Sequence, residues 1–343
     1  MKQRTKRLPT SKGVVYIVLA LLLAGGKHIY NNYIAPEGEQ ELTTVINTEP
    51  TSPKSEEKIT LDNESKPQKS KDKRKVNRSG WAELPAERRN DDLYYAYHTV
   101  AEEDKSDPRR NYTVCFSREQ RCPVWVAAAL HPSFKGDTPR SNSYQPDPQL
   151  PLNIQPLLSR SYGGEYTRGH MLGSAERTST RACNDQTFYA SNIAPQLREG
   201  FNTGGGAWNN LENYVRRQVC QDTLYTVVGC IFTEYTDCDG EVIEPITTPN
   251  RNDTYRVSVP TAYYYALLRT RDGDTDKSVR ECSERELKCA AFVVGHRSAH
   301  KRKPSAKELI SIEELERLTG EKFFINVPNA PKKQAKPSDW NVR

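Results

Sequence analysis

At 343 residues the chain has room for one large domain or two small ones. Its formal charge of +6 and pI of 8.8 invite a nucleic-acid reading, but the position of the charge excludes that argument. Residues 1–78 carry 15 Lys+Arg against 9 Asp+Glu, whereas residues 79–343 carry 35 of each, so any polyanion binding by the larger part must come from locally clustered positives.

The first 12 residues hold Lys2, Arg4, Lys6, Arg7 and Lys12 and no acid. An apolar, uncharged run, "GVVYIVLALLLAGG" (13–26), follows. Residues 13–33 are expected to act as a secretory signal, with Ala24-Gly25-Gly26 as a small-residue cleavage site, or as an inner-membrane anchor with Tyr30 and Tyr33 at the outer interface. Either way the larger part is expected to be exported, to the periplasm or outside the cell. Residues 34–80, rich in Glu, Lys, Ser, Thr and Pro, are expected to be a disordered linker. All eight cysteines (115, 122, 183, 220, 230, 238, 282, 289) follow it, and an even number in an oxidising compartment suggests disulfides. Short separations make Cys115/Cys122 and Cys282/Cys289 candidate local pairs.

From Trp81 the chain becomes aromatic and mixed. "NYTVCF" (111–116), "PVWVAAAL" (123–130), "LYTVVGCIF" (224–232), "YYYALLR" (263–269) and "AAFVVG" (290–295) have the content of strands. "SIEELERLTG" (311–320) predicts a helix with Ser311 and Glu314 as a capping box and Gly320 as its stop. Without a regular βαβ alternation, the class is α+β: one domain over 81–330, then a tail over 331–343.

Two central stretches carry chemistry. "YTRGHMLGSAER" (166–177) places Arg168 and His170 together without an evident helix or strand period. In "FYASNIAPQLREGFNTGGGAWNNLENYVRRQ" (188–218), Trp208, Leu211, Val215 and Val219 form a helical apolar stripe, Glu212 and Arg216 stack at i,i+4, and Asn202 sits in a bend before Gly204-Gly205-Gly206. Phosphodiester hydrolysis needs a base near neutrality, a hard cation with few protein ligands, and positive side chains for the phosphorus. His170, Asn202, Glu212 and an arginine match that requirement. Asn202 as a helix cap, Glu212–Arg216 as a surface ion pair and Asn192 as a turn residue are the structural alternatives. His98, His131, His296 and His300 are assigned structural roles, "HRSAHKRK" (296–303) a solvated loop, and Trp125 and Trp208 the core.

The ordered set "TRGH", "SNIAPQ", "FN", "AWNNLE" and Arg216 resembles the DNA/RNA non-specific endonucleases of the ββα-metal superfamily, over about residues 81–330. The resemblance implies an antiparallel or mixed sheet flanked by helices around a ββα-metal core, and cleavage of DNA and RNA to 5′-phosphate ends. It implies His170 as general base, Asn202 as the one direct protein ligand of Mg²⁺ (Mn²⁺ substituting), and Glu212 on the metal's waters. Arg168 and Arg216 would contact phosphate, Asn192 would orient His170 or a metal-bound water, and a homodimer is the implied assembly. Thr167 stands where the usual pattern has Asp, and Gly173 replaces a frequent proline. A non-catalytic nucleic-acid binder and a phosphodiesterase for another phosphate substrate are the competing functions.

Overall fold

The computed structural model describes residues 80–101, 108–249 and 255–343. The basic start, the apolar run and all but the end of the linker lie outside them. Among the described residues no helix is long and apolar enough to cross a membrane.

The frame is built by hairpins. β1 (Leu93–Val100), β2 (Arg109–Ser117) and β3 (Cys122–Leu130) pair antiparallel in sequence. The chain then leaves the sheet and folds a separate hairpin from β4 (Tyr166–His170) and β5 (Ile193–Leu197). Between these lies α1 (Arg181–Gln186), and after them comes α2 (Ala207–Arg216). It re-enters beside β3 as β6 (Leu224–Ile231). Two small hairpins follow, β7 (Tyr235–Thr236) with β8 (Val242–Ile243) and β9 (Ile246–Pro249) with β10 (Arg256–Val259). β11 (Ala262–Thr270), β12 (Leu287–Gly295) and β13 (Leu309–Ile310) complete a seven-stranded antiparallel sheet in the order β1-β2-β3-β6-β11-β12-β13, before α3 (Ile312–Thr319). This is the expected α+β class.

The continuous apolar run of β11 reflects burial on both faces. Tyr263, Tyr265 and Leu267 enter the cluster that also holds Met171, Ile193, Phe201 and Trp208, while Tyr264, Ala266 and Leu268 enter the opposite one with Ile312, Leu315 and Phe323. The first face carries β4, β5 and α2; the second carries α3. Fully buried Trp208 fixes α2 by stacking on Tyr265 at 5.0 Å and on Phe201 at 6.0 Å. α3 is capped as its sequence anticipates: Glu314 N–H donates to Ser311 Oγ (3.1 Å), Ser311 N–H donates to Glu314 Oε2 (2.8 Å), and Gly320 is left-handed at φ 72°.

Four expectations need correction. "YTRGH" is a strand, its alternation hidden because Gly169 faces a neighbour that leaves no room for a side chain. α2 ends at Arg216, so Val219 continues its apolar stripe from beyond the helix. The cysteines are free thiols, and Cys115 and Cys122 lie in clusters on opposite faces of the sheet, because a spacing of seven does not specify which face a strand residue takes. Finally, residues 331–343 are not a loose tail. Trp340 is fully buried in the first cluster with Val342, and its carbonyl accepts the hydroxyl hydrogen of Tyr214 on α2.

Trp340→Ala is therefore expected to destabilise the fold by about 3–5 kcal/mol, the cost of emptying a packed aromatic site. Denaturant unfolding measures it, and a loss below about 1 kcal/mol, the range of surface substitutions, would return this segment to the status of a tail.

Candidate active site

His170 is the last residue of β4, opposite Ile193. Its ring packs edge-on against Phe188 at 4.8 Å and Tyr144 at 5.9 Å, and its buried Nε2 has no hydrogen-bond partner among the described residues. Burial, then the guanidinium charges of Arg140 and Arg168, hold its pKa well below the usual imidazole range. Its imidazole is therefore neutral at pH 7, with a free lone pair or N–H according to tautomer.

The chain leaving His170 is clamped by Asn192. Leu172 N–H donates to Asn192 Oδ1 (2.9 Å), and Asn192 Nδ2 donates to the carbonyls of Leu172 (2.9 Å) and Thr187 (2.7 Å). With its amide engaged by backbone, Asn192 positions the histidine segment and has little left to offer substrate. Next to it, Ser191 Oγ donates to buried Asp147, which also binds His98 Nε2 (2.9 Å), so His98 is structural.

Arg168 lies 3.7 Å over the Tyr144 ring and donates Nη1 to the carbonyls of Leu158 (3.0 Å) and Ser159 (3.2 Å). Arg140, which sequence reasoning missed, reaches the same place from a loop. It donates to Ser174 Oγ (2.9 Å) and Asn142 Oδ1 (2.7 Å), and its guanidinium lies 4.8 Å from the Phe188 ring that packs on His170. "TPRSNSY" has no period or motif that could have marked it.

Asn202 closes the turn Arg198–Asn202, which bends at left-handed Gly200 (φ 71°), where a Cβ would meet Ser298 Oγ at 2.1 Å. Its Nδ2 donates to Gln196 Oε1 (2.7 Å), which sets the amide and leaves Oδ1 with no donor among the described residues. Gln196, buried in β5, lies directly over Gly169: a Cβ there would fall 2.2 Å from its Cδ. One side chain thus spans from the residue before His170 to Asn202. The only sequence signal for Gln196 was its place in "SNIAPQ". β5 is held from behind by His296, whose Nε2 accepts from Leu197 N–H (2.8 Å) and whose Nδ1 donates to Pro260 O (2.7 Å). Burial brings its pKa down to about 4 and keeps that clasp neutral.

On α2, Glu212 lies 3.8 Å from Arg216, looser than the i,i+4 spacing suggests. The closer partner of Arg216 is Glu176, in the turn after His170: Nε donates to Glu176 Oε1 at 2.5 Å, while Lys135 Nζ meets Oε2 at 3.0 Å. Glu176 stands inside the quoted "SAER" yet was passed over, since an acid beside an arginine looks like an ordinary surface pair. A Cβ on Gly173 would lie 3.9 Å from Arg216 Nη2, which brings the helix cation to the histidine turn. Burial raises the Glu212 pKa to about 7, Arg216 opposing and Glu176 adding to the rise. A carboxylate so poorly compensated, on the helix that follows a turn whose amide oxygen lacks a donor, suits a hard divalent cation that keeps most of its waters.

Comparison with known proteins agrees with this geometry. The profile of the DNA/RNA non-specific endonucleases matches residues 92–330. Mitochondrial endonuclease G of Bos taurus is 26% identical over 222 residues, covering 64% of this chain and 69% of the relative. Nuclease C1 of Cunninghamella echinulata var. echinulata is 27% identical over 221 residues, 63% of this chain and 81% of the relative. A crystal structure of an EndoG/EndoGI complex shares the fold, with a TM-score of 0.51 and 24% identity over 67% of this chain and 86% of that one.

Gln196→Ala frees the Asn202 amide to rotate. It is expected to weaken divalent-metal affinity about 10–100-fold, the usual effect of losing a group that orients a ligand. Metal titration of activity measures this, and an unchanged half-saturation would remove Gln196 from the site's design.

Proposed function

The chain belongs to the DNA/RNA non-specific endonuclease family, and on that premise we propose that it is an exported, Mg²⁺-dependent hydrolase of phosphodiester bonds in both DNA and RNA, with His170 as its base. The observation that carries the assignment is the His170 imidazole, buried, neutral and unpartnered at Nε2 among the described residues, within reach of the charges of Arg140 and Arg168. Export is supported by the basic start and the apolar run at 13–26.

Arg140 and Arg168 receive the scissile phosphate. Both also depress the basicity of His170, so an anionic phosphate between them offsets their charge and raises the imidazole's proton affinity as substrate arrives. Nε2 then takes the proton of the attacking water. Asn202 Oδ1 would hold the cation directly, and Glu212 would accept hydrogen bonds from its waters. The cation, when bound, offsets charge on the phosphate and the leaving oxygen. Arg216 stays pinned to Glu176, where it offsets that carboxylate and part of the charge on Glu212. Thr167, opposite Gln196, adds no charge where an aspartate is usual, so Glu212 supplies the site's acidic character.

In a gel containing DNA or RNA, the wild-type chain is expected to clear both substrates with Mg²⁺ and neither with chelator. His170→Ala should lower the rate by at least about 10²-fold, the scale of lost general-base catalysis, with unfolding nearly unchanged. Clearing by His170→Ala at the wild-type rate would end its role as base.

The raised pKa of Glu212 links metal binding to pH. Below about 7 the group is protonated without metal and must release its proton to serve the cation. Apparent Mg²⁺ affinity is expected to fall about tenfold per pH unit below 7, as for one coupled proton, and to be flat above. Metal titrations at pH 5.5, 6.5 and 8 measure the slope, and a Glu212→Gln variant should abolish it.

A further inference from the structure

A second concentration of positive charge lies where the start of β12 meets the segment around residues 331–340. A cavity of about 350 Å³ opens there, within the range of small-molecule sites. Arg271, Arg285, Lys288, Lys333 and Lys336 line it, against Glu284 and Asp339. The Asp339 carboxylate is engaged by Arg271 at 2.8 Å. Arg285, Lys333 and Lys336 are exposed and form no ion pair among the described residues. Lys288 is different: it is 8% exposed, its ammonium donates to the Asp339 carbonyl (2.7 Å) and lies 4.7 Å over the Trp340 ring, and no carboxylate pairs with it. Burial, then Arg269, press its pKa down to about 8, the mark of a cation without enough countercharge.

With Arg271 and Asp339 cancelling, four cations face one carboxylate, an excess of three. A carboxylate ligand would leave most of that excess uncompensated. A phosphate group carries between one and two negative charges and several acceptor oxygens, which Arg285 and the lysines can share. We propose that this cavity binds a phosphate group at a site separate from the cleavage centre. The two sources are free phosphate and the backbone of a nucleic-acid strand. The cavity wall is joined to the catalytic helix: Tyr214 donates to the Trp340 carbonyl, and Arg269 Nη1 donates to Gln218 O (2.7 Å) just beyond α2. The proposal stands independently of the assignment of His170.

The test uses the whole chain in chelator, so that strands stay intact, with two probes: inorganic phosphate by titration calorimetry, and a labelled single-stranded oligonucleotide by anisotropy. The pocket variant is R285S/K333S/K336S, three exposed changes that break no ion pair. An equal charge loss elsewhere, R89S/R118S/K307S, controls for general electrostatics, and Arg168→Ala removes the weaker phosphate binding expected at the cleavage centre, so that the two sites are told apart. The pocket variant is expected to lose at least tenfold in phosphate affinity at this site while the charge control keeps it. If oligonucleotide affinity falls in the pocket variant well beyond the charge control, the phosphate belongs to a strand; if it does not, the ligand is free phosphate. Phosphate affinity that is unchanged in the pocket variant, or that falls equally in the charge control, overturns the proposal. Because His170 and the metal play no part in either measurement, failure here is distinct from failure of the nuclease assignment.

Discussion

The register of one short hairpin governs the site. Pairing Gly169 with Ala194 and Thr167 with Gln196 brings the Gln196 amide over the one residue of β4 that has no side chain. From there it reaches Asn202 and holds its amide in a single orientation. A shift of one residue would turn Gln196 to the other face and place a side chain where only hydrogen fits. The histidine, the amide oxygen and the turn between them are thus tied by backbone pairing and not by the flexibility of their own side chains. Asn192 and His296 reinforce the same hairpin from two other sides.

The charges are arranged by sign around that hairpin. Arg140 and Arg168 lie near the imidazole, while Glu212 on α2 and Glu176 across from it gather the acidic charge, with Arg216 and Lys135 partly neutralising them. The domain is neutral as a whole, so its affinity for a polyanion rests on such local separation and not on net charge. A helix and a strand turn that each carry one member of an ion pair also lock α2 against the hairpin, so the same contact serves packing and chemistry.

The family and the α+β class were legible in the residues because short motifs keep their order along the chain. His170, Asn202, Glu212 and Arg216 stand in motifs whose sequence order survives folding, and the long central strands announce themselves by apolar runs. What escaped was set by tertiary pairing. β4 does not alternate, since an arginine and a glycine occupy two of its five positions. Arg140 arrives from a loop without pattern, and Glu176 looks like any acid near an arginine until α2 is seen beside it. Cys115 and Cys122 misled for a related reason: spacing along the chain does not say which side of the sheet each thiol takes. In the polar segment after residue 330 a single tryptophan outweighs its surroundings, because one buried indole compensates for many solvated neighbours.

That tryptophan has a consequence for how the protein comes to be made. The helix bearing Glu212 is seated partly by a hydroxyl of Tyr214 that waits for the carbonyl of residue 340. During synthesis every group of the hairpin is complete long before that carbonyl exists. In a nascent chain the seating of this helix is therefore complete only once translation has passed residue 340.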